Sequence, residues 1–241
     1  MTRKLQLSTG ALAAVSGSLF FIGFLLLKTH FGYPDMIRAA PSVLLPKLHE
    51  QRHLVPYIYY VGVGIGGLCL FFFSLLARRL FEEGGENTWS YLASRCGMIS
   101  GLLLYAGIIR YTFLFPYLAE QREAGVYDPQ TVDLVFQAAN IYIGNSLAEH
   151  VEFTFTFFML LFFNLANLQA RLAQTWVSAV GFIAAAFILY GNSEFLFALP
   201  GAFMCNRIGS AALAIWLIVF GVSLVRRATA NRIRQERHPM R

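Results

Sequence analysis

Six long apolar stretches limit what this chain can fold into. About 18 or more consecutive apolar residues are enough to cross a bilayer as a helix, and a lipid-facing backbone must satisfy its own hydrogen bonds. We therefore expect an all-α fold: a bundle of six transmembrane helices in a single integral membrane domain of residues 1–241. The predicted spans are 12–27, 55–77, 91–117, 146–168, 176–190 and 203–225.

The composition agrees with a membrane protein. Hydrophobic residues make up 57% of the chain and charged residues only 13%, against roughly 25% charged in soluble domains. Arg3 and Lys4 precede the first stretch, as in a signal peptide. Its apolar core is longer than that of a signal peptide, however, and no small-residue cleavage site follows, so we expect a retained helix.

Basic residues indicate the orientation, because Lys and Arg concentrate in cytoplasmic loops. With six spans, the N-terminus, the loops after the second and fourth spans and the tail 226–241 all lie on one side. Both termini are then cytoplasmic, and the expected location is a bacterial inner membrane, crossed several times. The cations on this side are Arg3, Lys4, Arg78, Arg79, Arg171, Arg226, Arg227, Arg232, Arg234, Arg237 and Arg241.

The basic tail carries most of the formal net charge of +6. We interpret it as a cytoplasmic topology signal that also contacts anionic lipid of the bilayer, and we expect no nucleic-acid partner. Cys69, Cys96 and Cys205 are scattered and form no CxxC motif, so we expect buried small apolar side chains rather than a disulfide framework.

The segment before the fourth span predicts a helix start. Asp128 is a capping residue, and Pro129 suits the first helical position. A helix from Pro129 to Arg171 would be roughly 64 Å long, about twice the hydrocarbon thickness. We expect a break at Gly144-Asn145, with an amphipathic first half on the outer surface and a spanning second half.

Glycine pairs four residues apart occur in two spans. They are Gly62 with Gly66 and Gly97 with Gly101. This small-xxx-small spacing lets helix backbones approach closely. We expect these glycines to pack helices within the bundle; a dimer interface is the alternative.

Polar residues along the fourth span suggest a vestibule on the outer side. They recur at steps of three and four residues, which places them on one helical face, and ionisable groups at membrane depth need partners or a cavity. The members of this stripe are Tyr142, Asn145, Glu149, Glu152 and Thr156. The expected ligand-binding residues are Arg110, Asn145, Glu149, Glu152, Asn192, Glu194 and Arg207.

Two ion pairs are expected within this vestibule. Arg110 should pair with Glu149 or Glu152, and Glu194 with Arg207. One interpretation is that these residues surround a binding pocket. The alternative is that they form satisfied structural pairs that only lock the bundle together.

Residues His49 to His53 match H-E-x-x-H. In zinc peptidases the two His bind the metal and the Glu activates water, so Glu50 would be catalytic, with Glu149, His150 or Glu152 as third ligand. Against zinc stand Arg52 inside the motif, Pro46 and Pro56, which restrict its helix to about two turns, and the absence of an aspartate from every predicted span.

Two other interpretations of this motif remain. A non-catalytic metal or haem site could involve His49, His53 or His150. We favour a polar cluster at the membrane edge, and so expect no cofactor, with zinc as the alternative.

The second half of the chain resembles a known family. The relevant segments are Trp176-Val-Ser-Ala-Val-Gly181 and the final span from Ala212 to Leu224 with its Trp-Leu and Gly, followed by Arg226-Arg227. They resemble an uncharacterised family of bacterial six-to-seven-helix integral membrane proteins, defined by a domain of unknown function. Members often carry an acidic residue before the final Trp segment. Here that residue is absent or displaced to Glu194.

The resemblance supports the fold and implies no activity. The residues favour a non-enzymatic protein whose vestibule binds a small ligand, a lipid or a protein partner. The alternative is a zinc-dependent hydrolase that uses His49, Glu50 and His53. A transporter is a third hypothesis, which the very apolar inner halves of the spans disfavour.

Overall fold

The computed structural model describes residues 2–197 and 199–237, without the side chains of 231–237. This part of the chain contains seven α-helices and no strand. They are α1 (Arg3–Phe31), α2 (Pro41–Glu50), α3 (Val55–Glu82), α4 (Thr88–Glu123), α5 (Pro129–Ala170), α6 (Thr175–Asn192) and α7 (Ala202–Arg237). All except α2 are long and apolar enough to cross a membrane. Each contains one predicted span, so the expected fold class is confirmed.

The six long helices form a closed ring in chain order. Neighbours pack as α1 with α3, α3 with α4, α4 with α5, α5 with α6 and α6 with α7, and α7 closes the ring on α1. We call the end of the bundle near Phe31 the distal end and the opposite end the proximal end. The start of α1 and the described end of α7 belong to the proximal end, and the assignment of that end to the cytoplasm stays a prediction from the cations.

Aromatic side chains fill the proximal half of the ring. Phe73 of α3, Phe163 of α5, and Trp216 and Phe220 of α7 are almost fully buried, with ring centroids 5.2–6.5 Å apart. The indole of Trp216 donates to Asn164 Oδ1 at 3.0 Å, so its polar group is satisfied inside this apolar core. This half of the bundle is therefore closely packed.

The predicted glycine contacts join helices of the same chain. A Cβ on Gly62 would lie 2.7 Å from the Cα of Gly23, and one on Gly101 would lie 2.5 Å from the carbonyl oxygen of Gly67. Since backbone cannot move aside, only glycine permits these two distances. Gly66 instead faces the ring of Phe20, and Gly97 faces the side chain of Ser74. The expectation that these residues pack the bundle internally is confirmed.

Helix α5 does not break at Gly144-Asn145, so that prediction is wrong. The helix continues, but Asn140–Val151 is π-helical, with hydrogen bonds reaching five residues back. A longer hydrogen-bond ladder keeps backbone groups paired through this stretch, which a break would expose. The predicted start is confirmed, because Asp128 accepts a hydrogen bond from the Thr131 amide at 3.0 Å.

The distal ends of α4 and α5 extend past a bilayer-spanning length, with 36 and 42 residues respectively. They pair side by side, with the rings of Phe115 and Phe136 at 4.4 Å. Helix α2 packs on this pair and buries Leu44, Leu45 and Leu48 completely. Helix α2 starts at Pro41 and continues through Pro46, so the expectation that Pro46 bounds the helix of the H-E-x-x-H motif is wrong. Three buried leucines, at about 2 kcal/mol each, outweigh the one backbone hydrogen bond that Pro46 cannot donate.

The predicted basic tail begins as a continuation of α7, which is helical to Arg237. Arg227 donates to the backbone carbonyls of Arg171 and Leu172, the latter at 2.9 Å, at the proximal end of α5. The side chains of Arg232, Arg234 and Arg237, and all of Arg241, lie outside the described residues.

We expect Gly62→Ala to destabilise the protein, because its methyl group would meet the Gly23 backbone. Overpacking of this kind costs about 1–3 kcal/mol. Gly84→Ala is the matched control, since its nearest neighbour would be 3.8 Å away. Thermal unfolding in detergent should show a lower midpoint for Gly62→Ala alone. Equal midpoints would contradict the close α1–α3 contact.

Candidate functional site

A cavity of about 100 Å³ lies in the distal half of the bundle. Its wall comes from α1, α3, α4, α5, α7 and the segment after α1. The cavity is smaller than an apolar cavity of about 150 Å³ that holds benzene, so it has room for several waters or for a group of a few heavy atoms. The charged residues on its wall are Arg38, Arg110, Glu149, Glu152 and Arg207.

Arg38 is the central cation of the site. It lies in a 3-10 turn, Asp35–Arg38. Its Nη2 and Nη1 atoms donate to the two carboxylate oxygens of Glu149 at 2.6 and 3.1 Å, and its Nε donates to Glu194 at 3.0 Å. Nη1 also reaches Asn145 Oδ1 at 3.3 Å. One guanidinium therefore joins the segment after α1 to α5 and to the turn after α6, with bidentate geometry toward Glu149.

The surroundings of Arg38 keep it charged. Burial lowers the pKa of its guanidinium, but the hydrogen bonds and charges of Glu149 and Glu194 raise that pKa by more, so the net shift is upward. Burial also raises the pKa of the Tyr33 hydroxyl, with a further contribution from Glu149. The cavity wall next to Arg38 thus carries a neutral phenol.

Arg110 lies at the other side of the cavity and is 6% exposed. Its Nη1 donates to the Gly107 carbonyl at 2.6 Å, and its guanidinium carbon lies 4.9 Å from the Tyr111 ring centroid. A Cβ on Gly144 would lie 2.8 Å from Nη2, so that glycine makes room for the guanidinium. The predicted Arg110–Glu149 pair is wrong, because Arg38 is the ionic partner of Glu149.

The second predicted pair, Glu194 with Arg207, is also wrong. Glu194 pairs with Arg38 instead. Arg207 lies over the Phe203 ring at 3.2 Å from its centroid and contacts Asp35 at 3.3 Å. Asp35 is 87% exposed, so solvent weakens this pair.

Glu152 is 2% exposed and lies deeper in the cavity wall. Its Oε1 accepts hydrogen bonds from Ser100 of α4, at 2.7 Å, and from Thr156 one turn along α5. The predicted ion pair of Arg110 with Glu152 is therefore replaced by hydroxyl donors. Two neutral donors satisfy this carboxyl without a counter-ion.

Four members of the predicted polar stripe face the protein interior, and one does not. Asn145, Glu149, Glu152 and Thr156 are buried or half-buried, but Tyr142 is 67% exposed. Tyr142 falls in the π-helical stretch, where a turn holds more residues than in an α-helix. A stripe drawn with α-helical spacing therefore turns away from the cavity at that residue.

His150 and Asn192 form a separate polar contact beside the cavity. His150 Nδ1 lies 2.9 Å from Asn192 Oδ1, and Asn192 Nδ2 donates to Thr154 Oγ1 at 2.9 Å. This contact holds the distal end of α6 against α5. The predicted vestibule residues are thus brought to one end of the bundle, although their pairing differs from the prediction.

The H-E-x-x-H residues do not share one helix. Helix α2 ends at Glu50, so His53 lies in the following turn. Arg52 is between the two imidazoles, with Nη1 at 2.8 Å from His49 Nε2 and Nε at 3.3 Å from His53 Nε2. The hydrogen bond from Lys47 lowers the pKa of Glu50. A guanidinium occupies the position where a shared metal would lie.

Within the described residues, no group of three or more His, Cys, Asp or Glu side chains is arranged to hold a metal ion. His150 contacts Asn192 rather than either histidine of the motif. The geometry gives the zinc hypothesis no support.

Several residues of the site were missed by sequence reasoning. They are Tyr33, Arg38, Tyr59, Ser100 and Tyr111. The available signal was charge balance. The predicted vestibule residues included three glutamates and two arginines, and Arg38 is a further cation in the segment between the first two predicted spans. Its position in a Pro-rich segment without periodicity gave no indication of where it would fold.

A family model described as "Domain of unknown function (DUF4386)" matches residues 8–222. The chain belongs to the DUF4386 family. The matched region runs from α1 into α7, so it contains the ring of helices and the cavity, and the expected membership of an uncharacterised family is confirmed. No curated protein and no solved structure matches the chain. The site of this DUF4386 protein must therefore be interpreted from its own chemistry.

We expect the Arg38–Glu149 pair to show strong coupling in a double-mutant cycle with Arg38→Gln and Glu149→Gln. Residues in one ion-pair network couple by about 0.5–3 kcal/mol, and removing one partner leaves a mostly buried charge. Thermal or denaturant unfolding in detergent measures it. The cycle of Arg110→Gln with Glu149→Gln is the control and should show much weaker coupling. Stronger coupling in the Arg110–Glu149 cycle than in the Arg38–Glu149 cycle would contradict this geometry and support the Arg110–Glu149 pair instead.

We also expect zinc content to be independent of the H-E-x-x-H residues, because Arg52 lies between the two imidazoles. Elemental analysis of detergent-purified wild type and His49→Ala/His53→Ala, both incubated with zinc and then desalted, is the measurement. Near-stoichiometric zinc that disappears in the double variant would contradict this geometry and revive the hydrolase hypothesis.

Proposed function

We propose that this multi-pass membrane protein is non-enzymatic and binds a small ligand in the cavity at the distal end. One observation carries the proposal. Charged side chains from the segment after α1 and from α4, α5 and α7 line one cavity, and those that pair do so around its wall rather than across a filled core. Convergent polar groups in a largely apolar cavity are typical of binding sites.

The alternative is that the charges only lock the bundle, and the packing argues against it. Protein interiors are close-packed, with few voids larger than a water molecule. Ion pairs that only lock the bundle need no cavity. Here a cavity is present, and buried polar atoms on its wall have no partner in the described part of the chain. These include Tyr59 Oη, Tyr111 Oη, Arg110 Nε and Asn206 Oδ1, all on cavity-lining residues.

Unpartnered buried polar atoms need a partner from elsewhere. Each such atom costs about 1–3 kcal/mol when left unsatisfied. Water or a ligand in the cavity would supply hydrogen bonds to Tyr59, Tyr111 and Asn206. A ligand that fills the space also restores the lost packing contacts. Both effects favour an occupied cavity.

The groups that could act in catalysis are held by partners. Glu149 is fixed by the bidentate contact with Arg38, Glu152 by Ser100 and Thr156, and His150 by Asn192. These contacts fix the positions of all three side chains. Side chains that are engaged in this way suit a binding site better than a catalytic one, where the acid or base must be free to contact the substrate.

The segment after α1 would control access to the ligand. Tyr33, Pro34, Ile37 and Arg38 form part of the cavity wall. Arg38 attaches this segment to α5 and to the turn after α6. Its side chain is 24% exposed, so solvent reaches the contact that would have to open.

The test is to fill the cavity and look for the loss of a bound molecule. Ser210 lines the cavity, so Ser210→Phe should exclude the ligand. Ile215→Phe lies on the same helix but on a face that is 45% exposed, and serves as control. Native mass spectrometry of protein extracted from membranes in mild detergent should show an adduct in wild type and Ile215→Phe that is missing in Ser210→Phe.

Two results would contradict the proposed function. One is an adduct of equal abundance in all three proteins, which would place the molecule outside the cavity. The other is the absence of any adduct from wild type, with the folded state verified by thermal unfolding.

A further inference from the structure

Arg110 differs from the other cations of the site. Arg38 and Arg207 contact carboxylates, and Arg122 does so near the distal tip of α4. Arg110 has no carboxylate in ion-pair contact within the described residues, although it is more than nine-tenths buried. A buried charge without a counter-ion is expensive in a membrane bundle.

Most of the hydrogen-bonding capacity of Arg110 is unused. A guanidinium has several N–H donors in a planar fork. Here one nitrogen donates to the Gly107 carbonyl at 2.6 Å, and the buried Nε has no acceptor. The remaining contacts of the group are aromatic, with Tyr111 and Phe115 at 4.9 and 5.9 Å from the guanidinium carbon to the ring centroids.

Two further hydroxyls lie on the same wall of the cavity. The rings of Tyr59 and Tyr111 stack with centroids 4.1 Å apart. Their hydroxyls lie near each other and interact, but neither makes a hydrogen bond to any other residue in the described part of the chain. Arg110, Tyr59 and Tyr111 all line the cavity. This wall therefore presents N–H and O–H groups whose donor capacity the protein leaves partly unused.

The carboxylates of the cavity are already engaged. Glu149 is held by both terminal nitrogens of Arg38, and one oxygen of Glu152 accepts from Ser100 and Thr156. Neither contacts Arg110. The backbone meanwhile makes space for this guanidinium, because any side chain at Gly144 would collide with Nη2.

We propose that Arg110, together with the hydroxyls of Tyr59 and Tyr111, binds an oxyanion: a phosphate or carboxylate group of the ligand. This inference rests on the proposed function, because it names the chemistry of the molecule in the same cavity. Guanidinium groups bind both anions through paired N–H···O contacts. The oxyanion belongs either to a small free anion or to a lipid headgroup that enters from the distal leaflet.

Thermal unfolding of the full chain with added anion tests the proposal. Wild type, Arg110→Gln and the control Arg122→Gln are kept in a maltoside detergent, which carries no phosphate or carboxylate group, and titrated with inorganic phosphate or acetate at constant ionic strength, adjusted with chloride. A further arm adds phosphatidylglycerol to the detergent micelles. Stabilisation should saturate, and at about 100 times the dissociation constant the folded population is favoured roughly 100-fold.

Stabilisation by phosphate or acetate in wild type and Arg122→Gln, but not in Arg110→Gln, identifies a free oxyanion. Stabilisation only by phosphatidylglycerol, with the same dependence on Arg110, identifies a headgroup. Without added anion, Arg110→Gln should unfold at the wild-type temperature or above, because the substitution removes an unpaired charge. A lower midpoint of Arg110→Gln in detergent without added anion or lipid, no response of wild type in any arm, or an equal response of Arg110→Gln overturns the proposal.

A second variant covers the case in which Arg110→Gln does not fold. Tyr59→Phe/Tyr111→Phe keeps both rings and removes only the hydroxyls, so it should bind the anion more weakly and unfold otherwise as wild type does. An unchanged anion response in this variant overturns the role of the hydroxyls.

The two proposals fail separately. If the adduct is missing from Ser210→Phe but present in Arg110→Gln, the ligand cavity is supported and the oxyanion site at Arg110 is refuted. An adduct that does not respond to Ser210→Phe refutes the cavity itself.

Discussion

Charge neutralisation at the distal end is the constraint on which the site depends. Glu149 belongs to α5 and Glu194 to the turn after α6, and both side chains are mostly buried. Arg38 contacts both, so one cation from outside the ring pairs with two carboxylates. The same contact fixes the segment after α1 across the end of the bundle. Without it, this segment would have few other polar attachments to α5 and α6, and the cavity would lose one wall.

The π-helical stretch of α5 connects this electrostatic arrangement to the backbone. Asn140–Val151 includes Gly144, which leaves space for the Arg110 guanidinium, and Asn145 and Glu149, which contact Arg38. Single-turn π-helical segments in other proteins occur often at functional sites. A regular α-helix over the same residues would rotate Asn145 and Glu149 relative to Glu152, and these two side chains would no longer face Arg38.

The sequence predicted the features that depend on local chemistry. Six spans follow from the length of apolar runs, and the start of α5 follows from Asp128 and Pro129. The charge partners could not be predicted in this way. Arg38 and Glu149 are separated by 111 positions, and no periodicity relates a 3-10 turn to a helical face. The prediction that Tyr142 faces the cavity was wrong for another reason. It was based on α-helical spacing, and nothing in the sequence indicated the π-helical hydrogen bonds of this stretch.

The distribution of polarity between the two ends favours a binding role over transport. A transporter needs a substrate path to both sides and a site near the midplane. Here the charged cavity is confined to the distal half, and the proximal half is filled by Phe73, Phe163, Trp216 and Phe220. Opening that half would separate well-packed aromatic rings, each burying a large apolar area. Opening the distal end requires that Arg38 leave Glu149 and Glu194, whose side chains keep some exposure to solvent, so the proposed ligand would exchange more easily with the distal side alone.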